Sequence, residues 1–542
     1  MELESKVTVT SSSKTSLRVE YLKQCCKPTY QTKWLKNEGA NLVLIWNFLA
    51  MSVFHYYSVS EQRDSINKTM QRPKGSELIA MGSLLLIGGW LADAYFGRYK
   101  VICCGMWIMW IGSLLSAFSL IISYVNATYS DKGDKVVSLL SKFVMGTGFG
   151  LFQANIIQFG IDQLSDASST EITSFIVWYM LTLLTSGITM YYSAPCSPDY
   201  VGVLVLTVCL TLALCTYLLF NHLLLKEQII QNPLTLIWKV VHYSIKNNHL
   251  QGRFSALKEY GILSKLDIAK KVYAGPFTNE QVEDVKTFFR VITILTSCTI
   301  AHSGLTTVNE AKDRLLQHLQ NWPNTDTTLG GCYKVLSFTH ISYTFTAVVI
   351  LLYQIIIHPV FHNCIPKVSI TTKFVIAVVL FFVRIVFLLG IESASYYNQL
   401  GANVTNVAHC TFQNRDHHVM EIDFHWIIAT EILNGLSVFL LIFTGMEFIC
   451  AQAPFNMKGL VFGITYSLFG LGTLIQTAVS IPFLFKQPVA AWKKAPLTCE
   501  IWFFIIQAVI VLVGIVLMII TIKGYRKRIR SNLLRSDWQR TI

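Results

Sequence analysis

Twelve apolar runs of membrane-crossing length constrain this chain more than any other feature. They lie near 40–59, 77–96, 101–124, 136–157, 171–193, 201–225, 287–306, 338–357, 372–392, 425–447, 458–485 and 500–522. A helix needs roughly 20 apolar residues to cross about 30 Å of hydrocarbon. Inside that layer every backbone N–H and C=O must be paired internally, which leaves helices or closed barrels. These runs are continuous rather than alternating, so they read as helices and not barrel strands. Composition agrees: 53% of the 542 residues are hydrophobic and 14% charged, against roughly 25% charged in a soluble domain. The expected fold is an all-α integral membrane protein.

Charge then sets an expected topology. The net charge of +13 does not imply a nucleic-acid partner, because Lys and Arg collect in particular segments. Those segments are the first 39 residues, the loop 223–286 and the tail from Lys523 to Arg540. Basic residues concentrate on the cytoplasmic side of membrane proteins, so both termini are expected there. Three glycosylation sequons begin at Asn67, Asn126 and Asn403, in the first, third and ninth inter-helix loops, all on the outer face in this topology. The polar N-terminus has no leading apolar segment and does not read as a cleaved signal. Cys196, Cys332, Cys410 and Cys499 fall in or beside outer loops, where disulfides are possible in three connectivities. No metal-ligand spacing, phosphate-binding loop or nucleophile–base constellation is present, so the chain is not expected to be an enzyme, to need a cofactor or to be driven by ATP.

The runs divide six and six around a basic, amphipathic loop. The expected segments are a cytoplasmic N-terminal stretch 1–39, a six-helix bundle 40–225, a linker 226–286, a second six-helix bundle 287–522 and a basic tail 523–542. Such a division suits a secondary transporter that holds its substrate between two halves. Within the linker, Thr278-Asn-Glu-Gln281 is a capping-box pattern and predicts a helix start. A short interfacial helix is expected around Leu234–Ile245.

The most informative motif follows the second run: Gly88-Gly89-Trp90-Leu91-Ala92-Asp93-Ala94-Tyr95-Phe96-Gly97-Arg98-Tyr99-Lys100. Its glycines allow close helix approach. Asp93 at a helix end and Arg98 in the following turn suit a charged latch, made in one transport state and broken in another. This stretch resembles the signature of the proton-dependent oligopeptide transporter (POT/PTR) family of the major facilitator superfamily. Three further segments resemble the family in the same order. They are Gly148-Phe-Gly-Leu-Phe-Gln153-Ala-Asn155 with Phe159-Gly-Ile-Asp-Gln163, Gly275-Pro-Phe-Thr-Asn-Glu-Gln-Val-Glu-Asp-Val-Lys286, and Glu447-Phe-Ile-Cys-Ala-Gln-Ala-Pro454 through Met457-Lys458-Gly459. The resemblance is strongest to the animal peptide/histidine branch. It implies a twelve-helix major facilitator fold in two six-helix halves. It also implies alternating access, with di- or tripeptides, or amino acids such as histidine, as small-molecule substrates and protons as possible partners.

Several positions depart from the pattern. The family's first helix carries Glu-x-x-Glu-Arg; here those positions become Leu49, Ser52 and Val53, or, in a second register, Pro28, Gln31 and Thr32. The fourth-helix Lys appears as Gln153 and the tenth-helix Glu as Val438. A charge at the bilayer midplane costs about 2.5–3.5 kcal/mol and is kept for ion or proton work. Its loss argues against the usual proton–peptide coupling. Remaining polar candidates are His302, as a proton carrier or a hydrogen-bonded structural residue; Arg384, for an anionic group or a structural ion pair; and Glu431 with Asn434 at i, i+3, in the cavity or near the outer water interface. Trp178, Tyr179 and Tyr353 are candidate cavity walls, with Gln354 and Tyr466. Asp93–Arg98 and the Glu447–Lys458 region are the expected latches. The rival reading is a transport-deficient, transporter-like scaffold or sensor in the same membrane. Plasma and endolysosomal membranes suit either, and lipid surrounds both.

Overall fold

The computed structural model describes residues 37–67, 84–125, 131–164, 169–193, 199–226, 232–247, 264–316, 319–320, 339–352, 369–401, 420–423, 425–484 and 499–525. In chain order the helices are α1 Glu38–Asn67, α2 Leu84–Phe96, α3 Arg98–Val125, α4 Asp131–Asp162, α5 Ser169–Ser193 and α6 Asp199–Leu219. After α7 Pro233–Lys246 come α8 Asn279–His302, α9 Leu305–Leu316, α10 Thr339–Leu352, α11 Ile370–Gly401, α12 His425–Gln452, α13 Lys458–Leu484 and α14 Cys499–Gly524. Among the described residues nine helices are long and apolar enough to cross a membrane. A helix also stands at each of the other three expected positions. Those in the second and eighth, α2 and α10, are shorter apolar helices, and α4 in the fourth falls outside the apolar set although it is long. Two very short strands, β1 Leu319–Gln320 and β2 Met420–Asp423, pair in parallel.

Local sequence explains where these helices begin and how closely they pack. The capping box forms as expected: Thr278 Oγ1 accepts from Gln281 N at 3.3 Å, and Gln281 Oε1 accepts from Thr278 N at 3.0 Å. Helix α8 therefore starts at Asn279, inside the stretch read as linker from hydropathy. Helix α7 is capped by Asn232, whose Oδ1 accepts from Leu234 N, with Pro233 in the first turn where its missing N–H costs nothing. Helices α3 and α4 cross at glycines. A Cβ on Gly148 would stand 2.6 Å from the Gly105 carbonyl oxygen, so only glycine permits this approach.

Both ends of the chain contribute to one continuous core, from Trp46, Phe152 and Tyr179 to Phe381, Phe448 and Phe504. Several polar side chains inside it pair across helices. Trp46 Nε1 donates to Thr216 Oγ1 at 3.0 Å, and Asn47 Nδ2 to Thr182 Oγ1 at 2.8 Å. The outer surfaces are the reverse. Val205, Val208 and Leu212 on α6 and Val509, Val513 and Val516 on α14 are exposed, as a lipid-facing surface requires. Contacts between the first six helices and the later ones run through α5 against α10 and α12, and through α2 and α4 against α13.

One sequence boundary is corrected. The seventh apolar run does not end near 306. The backbone breaks at Ser303–Gly304 and continues as α9 to Leu316. The break is held by polar contacts: Gln476 Nε2 donates to Ser303 Oγ at 3.0 Å and Gln507 Nε2 to Gln476 Oε1 at 2.8 Å. Lys312, read from sequence as part of an outer loop, is consequently fully buried. Apolar Val308 and Ala311 carry that helix inward and take Lys312 with them.

Candidate functional site

Among the described residues, three polar clusters hold most of the candidates named from sequence. The first joins the early helices to α13. The last turn of α2, Ala92–Phe96, is π-helical and closes when Gly97 N donates to Ala92 O at 3.1 Å. Gly97 has φ 79°, a left-handed conformation that favours glycine. This turn presents the buried Asp93 sideways to the start of α13. Asp93 Oδ2 accepts from Leu460 N at 2.9 Å, and Oδ1 accepts from Arg98 Nη2 at 3.2 Å. A carboxylate at a helix N-terminus meets free N–H groups and the positive end of the helix dipole. Arg98 also reaches Asp162 on α4 at 2.5 Å and the Phe455 carbonyl at 3.5 Å, while Gln158 holds the other Asp162 oxygen at 2.6 Å. The backbones touch here: a Cβ on Gly89 would collide with the Gly459 carbonyl, and one on Gly463 would stand 2.7 Å from the Leu85 carbonyl oxygen.

Glu447 and Lys458 lie near this junction, at the end of α12 and the start of α13. Glu447 accepts from Lys373 on α11 at 2.7 Å. Lys458 is buried, with its Nζ 5.5 Å from the centre of the Phe455 ring. Beside them, the linker is fastened to α8 by four alternating charges. Asp267 meets Lys270 at 2.6 Å and Lys286 at 2.5 Å, and Glu283 meets Lys270 at 2.6 Å. Burial opposes ionisation of Asp267, but its hydrogen bonds from Lys270 and Lys286 outweigh burial and hold its carboxyl below the usual range.

The second cluster is central and carries no formal charge. Gln153 on α4 donates from Nε2 to the Tyr179 hydroxyl of α5 at 2.8 Å. Tyr466 of α13 interacts with both, so the amide stands where early and late helices meet. Of the first-helix positions, Ser52 donates back to the Phe48 carbonyl at 2.8 Å and Val53 is buried. Val438 is half-buried on α12, and Trp178 is half-buried on α5.

The third cluster lies within the later helices. Glu431 Oε1 on α12 accepts from Lys312 on α9 at 2.9 Å and from Arg384 on α11 at 3.4 Å; all three side chains are fully buried. Arg384 also donates to Asn309 Oδ1 at 2.5 Å. Arg384 and Glu431 thus share a buried ion pair in this conformation. Asn434, one turn along, reaches Ser342 at 3.5 Å. His302 is not part of this cluster. Ser437 donates to the Ala377 carbonyl at 2.8 Å, so its oxygen accepts from His302 Nε2–H at 3.0 Å. The ring stacks on Phe381, with centroids 4.9 Å apart. Phe381 belongs to α11 and Ser437 to α12.

Sequence reasoning missed two residues. Lys312 was hidden by the span boundary. His55, on α1, was passed over as part of an apolar run. Its Nδ1 lies 3.2 Å from Ser186 Oγ on α5, and its ring centre is 6.4 Å from that of Tyr343 on α10. A lone histidine in a membrane span was the available signal. Tyr353, Asn126 and Asn403 lie outside the described residues, as do Pro28, Gln31, Thr32, Cys196, Cys332 and Cys410. Asn67 is the last residue of α1, and Cys499 the first of α14. Among the described residues no group of three or more His, Cys, Asp or Glu side chains could hold a metal ion.

Comparison with known proteins places this arrangement. The POT family model matches residues 99–491. The chain belongs to the POT family. Members of the POT family are transporters, not enzymes, and their structures share the major facilitator fold. An auto-inhibited POT family peptide transporter is similar with TM-score 0.62 and 13% identity, over 92% of this chain and 99% of that one. The POT family transporter PepTSo is similar with TM-score 0.61 and 14% identity, over 91% and 99%. Protein NRT1/PTR FAMILY 5.7 of Arabidopsis thaliana is 26% identical over 140 residues, or 24% of this chain. That match spans 23% of the Arabidopsis protein, about a quarter of its length.

Proposed function

We propose that this POT-family protein is a secondary transporter of di- or tripeptides, or of amino acids such as histidine, that moves its substrate by alternating access without the family's usual proton coupling. The observation that carries the reading is the central cluster. Gln153 stands where the resemblance implies a lysine, and its hydrogen bond goes to the Tyr179 hydroxyl, with Tyr466 beside them, rather than to a carboxylate. An amide and two phenols supply directional hydrogen bonds for a polar solute. They do not exchange protons in the physiological range.

The substrate class draws on POT relatives solved in complex with small molecules. One is in complex with alafosfalin (TM-score 0.52) and another with 5-aminolevulinic acid (TM-score 0.54), each at 14% identity. In this reading Asp93, Arg98, Gly89 and Gly97 form a latch at the cytoplasmic end, supported by Glu447 and Lys458. The latch is made in the present conformation. Opening that end breaks the Asp93–Leu460 contact and separates Gly89 from Gly459, which leaves the two halves free to rock about the central cluster. Glu431 is engaged by Lys312 and Arg384. His302 serves packing between α8, α11 and α12.

Uptake of labelled dipeptides and histidine into proteoliposomes tests this. Saturable uptake at equal rates with and without an inward proton gradient is expected. Gradient-dependent uptake would reject the uncoupled mechanism. Absence of uptake, together with no thermal stabilisation by any peptide or amino acid, would reject transport in favour of a scaffold or sensor.

A further inference from the structure

Helix α7 has two apolar faces, and only one of them is used by the protein. At about 3.6 residues per turn, Pro233, Leu236, Val240 and Ser244 fall on one side and are buried. They pack α7 against α8, the 265–269 turn and the π-helical turn that carries Asp93. Leu234, Trp238 and Ile245 fall on a second side, with the half-buried Val241 at its edge. Leu234 is 43% exposed, Trp238 69% and Ile245 72%, far more than large apolar side chains tolerate in water as a contiguous stripe. Between the two faces lie Lys239, His242 and Lys246, all exposed. No acidic residue occurs in the helix.

The position of α7 identifies what covers the stripe. The lipid-facing row of α6 continues through Leu219 and Leu223 to Leu225, all exposed. A short connection then leads to the Asn232 cap. Helix α7 thus begins where a membrane span leaves the hydrocarbon and lies beside the end of α2. A helix with an apolar stripe bordered by lysines at that depth lies in the interface, its stripe among acyl chains and its cations among headgroups. Trp238, with His242 stacked on it at 5.8 Å, suits the headgroup level, where an amphipathic ring is favoured.

We propose that α7 is a docking site for anionic phospholipid, with Leu234, Trp238 and Ile245 inserted in the leaflet and Lys239, His242 and Lys246 against the headgroups. Charge complementarity selects the anionic lipid: two lysines without a neighbouring carboxylate on the helix favour an anionic surface over a zwitterionic one by roughly 30-fold. The cytoplasmic leaflet is the anionic one, which matches the orientation proposed above. The lipid site itself does not depend on transport activity or on that orientation.

Hydrogen exchange of the full chain in nanodiscs tests the site, because nanodiscs expose both faces. Backbone amides of 234–246 are expected to exchange about tenfold more slowly with roughly 30% phosphatidylserine than in phosphatidylcholine alone. The triple variant Lys239→Gln, His242→Gln, Lys246→Gln is expected to keep the phosphatidylcholine rate and lose the difference. Trp238→Ser is expected to exchange faster in both lipids. Equal wild-type rates in the two lipids overturn the proposal. So does a phosphatidylserine effect that survives in the triple variant, or protection that appears only when a soluble protein is added.

Discussion

At the scale of single residues, buried charge is the strongest constraint. Glu431, Lys312 and Arg384 have no exposed side-chain surface. Removing one member of such a group leaves the others in a low-dielectric interior, which costs about 3–5 kcal/mol, whereas replacing a pair together is often neutral. Glu431→Ala is therefore expected to lower the unfolding temperature in detergent sharply, and adding Lys312→Met to the same chain to recover part of the loss. Gln153 invites the opposite experiment. Gln153→Lys introduces a cation where Tyr179 and Tyr466 supply no carboxylate. Uptake is expected to fall at least tenfold, with stability reduced by a few kcal/mol for an unpaired buried charge. If Gln153→Lys instead created proton-driven uptake, a carboxylate partner would have to be within reach, and the neutral-centre account would fail.

At the scale of elements, close backbone contact and helix ends decide the outcome. Gly89 and Gly459 meet so closely that any side chain must separate α2 from α13. Gly89→Val is expected to hold that end open. Maleimide labelling of an introduced cysteine at Leu460 should then rise several-fold, and uptake should fall, while the fold survives. The linker makes a different prediction. Because the Asp267 carboxyl is held below the usual range, its contribution to stability is present above the ordinary aspartate value of about 3.9 and is lost as pH falls through the lowered one. The difference in unfolding temperature between the wild type and Asp267→Asn should stay constant from about pH 8 to pH 5 and shrink below about pH 4. A difference that disappears already at about pH 6 would assign the stabilisation to another group.

At the scale of the whole molecule, topology is the quantity to measure. Twelve spans with a basic linker after the sixth would place both termini and α7 on one side of the membrane. Epitope tags on the two ends should become accessible only after the plasma membrane is permeabilised, or should both face the cytosol on an internal membrane. Tags on opposite sides would break the topology on which the orientation of the Asp93 latch depends.

Much of this architecture was legible in the chain, and the reason is physical. Hydrocarbon demands long uncharged runs, helix starts demand caps, and close crossings demand glycine; each leaves a local signature. The positions of α7 and α8, the Asp93–Arg98 turn and the absence of charge at Gln153 follow from such signatures. The partners of each polar group do not. Lys312 looked like a loop residue until α9 turned it inward onto Glu431, and His302, read as a proton carrier or a hydrogen-bonded structural residue, has Ser437 and Phe381 of its own half as neighbours. Asp93 found its amide on Leu460, 367 positions away. Hydropathy reports how each segment meets lipid or water, a property of neighbours in sequence. Pairing inside the bundle depends on which face each helix turns to the others, and that is decided only when all of them pack.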